Sequence, residues 1–117
     1  EIVAMKGEDV VKLFDFLATV ELGKGTFPQV SEEVRVAFNR KDRTLKSLTI
    51  GGTPVDKNRI YYMATCDYVA AGKDGYSAGL LNVVNRQKTS VLIADVLMEY
   101  IRQQGKVSPK MEGRIKL

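Results

Sequence analysis

The alternation of apolar and polar positions along the chain predicts a series of short elements. Ile2-Val3-Ala4-Met5 is an unbroken apolar run, the pattern of a buried strand. Lys6-Gly7 turns the chain and Asp9 suits a helix N-cap. Val10, Leu13, Phe14 and Leu17 then recur at helical spacing, with Lys12 and Asp15 on the other face. The helix is expected from about Asp9 to Val20, stopping before Gly23-Lys24-Gly25. Val34, Val36 and Phe38 share one face of a second strand over 34–39. Leu45 to Ile50 reads as a third, closed by Gly51-Gly52. In the fourth, Ile60 to Thr65, Ile60, Tyr62 and Ala64 oppose Tyr61, Met63 and Thr65.

Gly72 lies in a loop, Ala71-Gly72-Lys73-Asp74-Gly75, that is set by composition. Ser90 is placed as the cap of a second helix with the stripe Leu92/Ile93, Val96/Leu97 and Tyr100/Ile101. Gly105 ends it and Pro109 lies beyond. Arg114 to Leu117 reads as a closing strand. Two main helices among about six strands, several joined by tight turns, predict a mixed α+β domain with a largely antiparallel sheet. The short Arg40 to Arg43 connection specifically predicts a hairpin.

Composition narrows the possibilities. The 117 residues suit one domain, and 44% hydrophobic with 27% charged residues can build a single core. The longest apolar run, Ile60 to Ala64, is far short of the roughly 18 residues that cross a bilayer. One cysteine, Cys66, excludes an internal disulfide, and the absence of histidine argues against a transition-metal site built from this chain. The chain begins with Glu1 rather than Met and enters a strand at once, as expected of a processed or trimmed piece. A net charge of +4 is spread from Lys6 to Lys116. Its one knot, Arg40-Lys41-Asp42-Arg43, contains an acid, lacks aromatic neighbours and suits a solvated turn. Nucleic acid is not the expected partner.

Three places are hard to explain by packing alone. Phe27 stands between Gly25-Thr26 and Pro28-Gln29, Tyr68 follows the fourth strand, and Asp74 lies between Gly72 and Gly75. Two aromatic planes can stack on a flat heterocycle, each contact worth about 1–3 kcal/mol. A carboxylate accepts two hydrogen bonds from a vicinal diol such as a ribose. Glycines beside it let backbone approach a ligand closely.

These residues also fall into ordered motifs. In chain order they are Gly25-x-Phe27-Pro28-Gln29-Val30-Ser31, Ile50-Gly51-Gly52-x-Pro54-Val55-Asp56, Tyr62-x-Ala64-Thr65 with Tyr68-Val69-Ala70-x-Gly72-x-Asp74-Gly75-Tyr76, and Gly113-Arg114-Ile115. The sequence thereby resembles the C-terminal domain of the 5′-nucleotidase family over nearly all its length. That family includes UDP-sugar hydrolases and 2′,3′-cyclic-nucleotide phosphodiesterases. The resemblance implies a nucleoside-holding domain, with the base between Phe27 and Tyr68, the ribose on Asp74, and Gln29 close to the base. Gly72 and Gly75 shape the loop. It also implies an N-terminal metallophosphoesterase domain, in cis or as a separate chain. Two divalent ions there, such as zinc or manganese, would activate a water or hydroxide for phosphate-ester cleavage.

No catalytic residue and no cofactor is expected in this chain, which alone should hydrolyse nothing. The implied setting is periplasmic or extracellular. The sequence departs from the family in three ways: the Asn and Gly-Gly-x-Arg segment that precedes the first strand is absent, Lys73 replaces a glycine, and Tyr68 replaces a phenylalanine. Lys73 and the missing segment suit an alternative of another class, a noncatalytic binding or scaffolding domain of a cell-surface protein that has lost nucleotides.

Overall fold

A computed structural model describes residues 1–24, 27–72, 83–108 and 110–117. Among them the chain runs β1 (Ile2–Lys6), α1 (Gly7–Leu17), β2 (Val34–Asn39), β3 (Thr44–Ile50), β4 (Thr53–Pro54), β5 (Ile60–Ala64), α2 (Asp67–Ala70), β6 (Asn85–Gln87), α3 (Ile93–Gln104) and β7 (Ile115–Lys116). The strands form two sheets. One has the order β5-β1-β6 and is antiparallel throughout, with Val3 opposite Met63 and Ala4 opposite Asn85. The other has the order β4-β3-β2-β7 and is antiparallel except where β7 runs parallel to β2. The expected α+β class and antiparallel bias hold, and the strands divide between two sheets.

The apolar run of β1 follows from its place. It is the central strand of its sheet, and Val3, Ala4 and Met5 are all buried. Val3 and Met5 meet Val10, Leu13, Phe14 and Leu17 of α1, which also packs against Val36, Phe38 and Leu48 of the second sheet. One helix thus supplies the core shared by both sheets. Burying each of these large side chains stabilises the fold by about 1.5–3 kcal/mol.

The structure corrects several boundaries. Asp9 does not cap α1, which begins two residues earlier at Gly7. The backbone N–H of Gly7 donates to the Arg59 carbonyl (2.8 Å) and that of Glu8 to Lys57 (3.2 Å). Backbone from the β4–β5 turn therefore satisfies the helix start, and no capping side chain is needed. Asp9 instead lies inside the first turn, 4% exposed, with Lys12 Nζ at 3.8 Å. The helix ends at Leu17 rather than Val20, and a turn follows in which Thr19 Oγ1 donates to the Phe16 carbonyl (2.6 Å).

Ser90 does not cap α3. It has φ +59°, and the helix begins after Leu92. Gly105 ends it as expected, at φ +73° with its N–H donating to Ile101 (2.9 Å).

The 40–43 connection is the expected hairpin, with Asn39 opposite Thr44. Asn39 Nδ2 donates to Asp42 Oδ2 (3.0 Å). Its first cation has a structural task that the charge pattern does not reveal. Arg40 Nη1 donates to the carbonyls of Ala18 (3.2 Å) and Val20 (3.1 Å), placing a positive charge where α1's carbonyls end.

Candidate functional site around Tyr68

Tyr68 is carried by α2, a single helical turn missed by periodicity because one turn shows no repeat. The turn closes through Ala70 N–H to the Cys66 carbonyl (3.0 Å) and Ala71 N–H to Asp67 (2.9 Å). Gly72 then takes φ +81°, a conformation that stops the turn and that glycine adopts at least cost. Tyr68 is 53% exposed. It lines a groove of about 680 Å³ with Glu1, Thr65, Cys66, Asp67, Arg86 and Lys88 among its other walls.

The groove is assembled by sheet register. Pairing of β1 with β5 and β6 brings Thr65 and Arg86 to either side of the chain's first residue. Thr65 N–H donates to the Glu1 carbonyl (2.9 Å). Arg86 Nη2 donates to both Glu1 carboxylate oxygens (3.0 and 3.1 Å), and that carboxylate side chain is 4% exposed. Sequence patterning does not single out Glu1, Arg86 and Lys88 as site residues. They are far apart in sequence and share no motif, so only the strand pairing reveals their proximity.

Phe27 and Gln29 lie elsewhere. Both line a second cavity of about 710 Å³, with Val30, Tyr100, Lys106 and Arg114 among its walls. The Phe27 ring is half-buried against the core and meets Phe38 edge-on, centroids 6.4 Å apart at 71°. Among the described residues neither cavity contains both Phe27 and Tyr68. Asp74, Gly75 and Lys73 fall outside the described residues, as do Gly25 and Tyr76.

The remaining motifs resolve into scaffold. Gly51 (φ +64°) and Gly52 (φ +82°) form the β3–β4 turn. Asp56 accepts from Asn58 N–H (2.9 Å), and its own N–H donates to Tyr61 Oη (2.9 Å). In Gly113-Arg114-Ile115, Arg114 Nη1 donates to the Val30 carbonyl (2.8 Å), and its other amino group pairs with Glu112. Val36 N–H donates to the Arg114 carbonyl (2.9 Å), which starts the β2–β7 pairing.

Glu33 accepts from its own backbone N–H and from Ser31. With help from the Arg114 charge, these bonds hold its carboxyl below the usual carboxylate range. Among the described residues no three of Cys, Asp and Glu come together as a metal-binding group. Nor is any described helix long and apolar enough to cross a membrane.

Comparison with known proteins agrees with this architecture. A family model described as the 5′-nucleotidase C-terminal domain matches residues 2–79. Protein UshA of Escherichia coli K12 is 35% identical over 99 residues, covering 85% of this chain and 17% of UshA. The trifunctional nucleotide phosphoesterase protein YfkN of Bacillus subtilis is 34% identical over 108 residues, covering 86% of this chain and 7% of YfkN. The crystal structure of a 5′-nucleotidase precursor from Thermus thermophilus superposes with a TM-score of 0.83 at 24% identity. It covers 98% of this chain and 24% of that one. The chain thus spans under a fifth of the length of these two curated relatives. It belongs to the 5′-nucleotidase C-terminal domain family.

Proposed function

We propose that this chain is the nucleoside-recognition part of a longer 5′-nucleotidase-type phosphoesterase that releases phosphate from nucleotides. The observation that carries the reading is Tyr68, an exposed ring at the wall of a groove, in a chain of this family. The described lining holds two acids, Glu1 and Asp67, against two cations, Arg86 and Lys88. These charges cancel, so the groove suits the uncharged base and sugar better than the phosphate. Tyr68 supplies a stacking face. Asp74, Gly72 and Gly75 follow it in sequence and are assigned the ribose end.

The family resemblance gives the second ring to Phe27, with Gln29 beside the base. Phe27 meets Phe38 edge-on and lines a cavity other than the groove of Tyr68. Phosphate-ester cleavage belongs to a metallophosphoesterase domain outside this chain, whose two divalent ions would supply the activated water. This chain's own residues bind and orient the nucleoside. A periplasmic or extracellular site of action completes the proposal.

The separation of Phe27 and Tyr68 between two cavities favours one other reading, a domain that keeps the fold as a scaffold without binding nucleotides. Calorimetric titration of the longer protein with AMP and adenosine separates the two. Saturable heat with either ligand supports recognition, and a silent titration with both supports the scaffold.

A further inference from the structure

The apolar stripe of α3 is continuous and uncovered. Leu92, Ile93, Val96, Leu97, Tyr100 and Ile101 recur at three- and four-residue spacing, and each is between 43% and 68% exposed. No residue of the helix is buried. Polar side chains flank it: Arg102 Nη1 reaches Glu99 at 2.7 Å, and Gln103 donates to the same carboxylate at 3.3 Å. A helix of 12 residues is marginal by itself in water, and most helices of that length are held by packing of their apolar side. A contiguous apolar patch of this kind on a monomer marks an interaction surface.

Two observations say what covers it. Val91, Leu92 and Ile93, where the stripe begins, line the same groove as Glu1. Polypeptide joined to the amino side of Glu1 would therefore arrive beside the stripe. In addition, the matched region is only 17% of UshA and 24% of the Thermus thermophilus chain, so proteins carrying this domain contain several times more polypeptide. We infer that the apolar stripe of α3 is the docking surface for the polypeptide N-terminal to Glu1. This rests on the proposed reading that the chain is part of a longer nucleotidase-type protein.

Hydrogen exchange read by mass spectrometry tests the assignment on two proteins, the 117-residue chain and the longer protein that contains it. Amides of residues 93–101 should exchange at least about 100-fold more slowly in the longer protein, because covering the stripe suppresses local opening. Leu97→Asp should leave the melting temperature of the 117-residue chain unchanged and lower that of the longer protein. Leu97→Ala should do so less severely, which keeps the comparison usable if the Asp variant fails to fold.

Equal exchange in both proteins overturns the assignment. So does slow exchange in the 117-residue chain that vanishes on dilution together with a dimer mass, since a second copy would then be the occupant. A longer protein that shows the protection but releases no phosphate from nucleotides supports the docking and removes the nucleotidase reading.

Discussion

Replacing Gly7 with alanine sets a backbone clash against a gain in helix propensity. A methyl carbon built at Gly7 lies 1.9 Å from the Asp56 carbonyl oxygen, 2.7 Å from its carbon and 3.1 Å from Lys57 Cα. Carbon and oxygen settle at about 3.3–3.6 Å, so the turn has to retreat by roughly 1.5 Å. The atoms in the way are backbone, which cannot rotate aside as a side chain can. The retreat also strains the Gly7-to-Arg59 and Glu8-to-Lys57 hydrogen bonds that begin α1.

Overpacking of this kind costs about 1–3 kcal/mol. Two weakened backbone bonds add about 1 kcal/mol. Alanine returns up to ~1 kcal/mol through helix propensity. The net loss is about 2 kcal/mol, and for a chain of this size that lowers the melting temperature by roughly 8 °C. Thermal unfolding followed by circular dichroism measures it. Gly23→Ala is the control: among the described residues no atom lies within 4 Å of its methyl, so the φ of +82° is what opposes it, at about 1 kcal/mol. A Gly7→Ala protein that melts at or above the parent temperature refutes the packing of the β4–β5 turn on the helix start.

Other consequences follow from the same contacts. Arg40→Met removes two hydrogen bonds to the end of α1 and should destabilise by about 1–2 kcal/mol, read as a lower denaturant midpoint; an unchanged midpoint refutes a capping role. Phe27→Leu keeps apolar volume but loses the edge-on contact with Phe38. It should lower the melting temperature, and an unchanged melting temperature contradicts that contact. Glu33 titrates lower in the folded chain than in the unfolded one. Its contribution to stability is therefore present above the unfolded pKa and disappears as pH falls through the folded value. Glu33→Gln should flatten the acid side of a stability–pH curve, and an identical curve in the variant contradicts the bonding described.

Legibility in the sequence follows the range of the forces involved. The α1 stripe, the β2 alternation, the 40–43 hairpin and Gly105 are set by neighbours a few residues away, and each is readable. The start of α1 is not, because its orphan N–H groups are met by carbonyls some fifty residues on, leaving Asp9 without a capping task. Ser90 misleads for a related reason: a residue type suited to a cap sits in a left-handed turn instead. At the candidate site, Tyr68 is legible as an aromatic that packing alone explains poorly. Arg86, Lys88 and Glu1 are invisible because strand register alone brings them to it. Gly51-Gly52 and Gly113-Arg114-Ile115, two of the motifs that carry the resemblance, serve the scaffold. Family resemblance and site membership are thus separate properties of a residue.

Nucleoside recognition rests most directly on the ring at position 68. In the longer protein, KM and kcat for AMP hydrolysis should be measured for the parent, Tyr68→Phe and Tyr68→Ala. Loss of one base-stacking contact, about 1–3 kcal/mol, predicts a KM raised about 5- to 150-fold in Tyr68→Ala with kcat little changed. Tyr68→Phe should stay close to the parent. A Tyr68→Ala enzyme with parental KM contradicts nucleoside recognition at this groove.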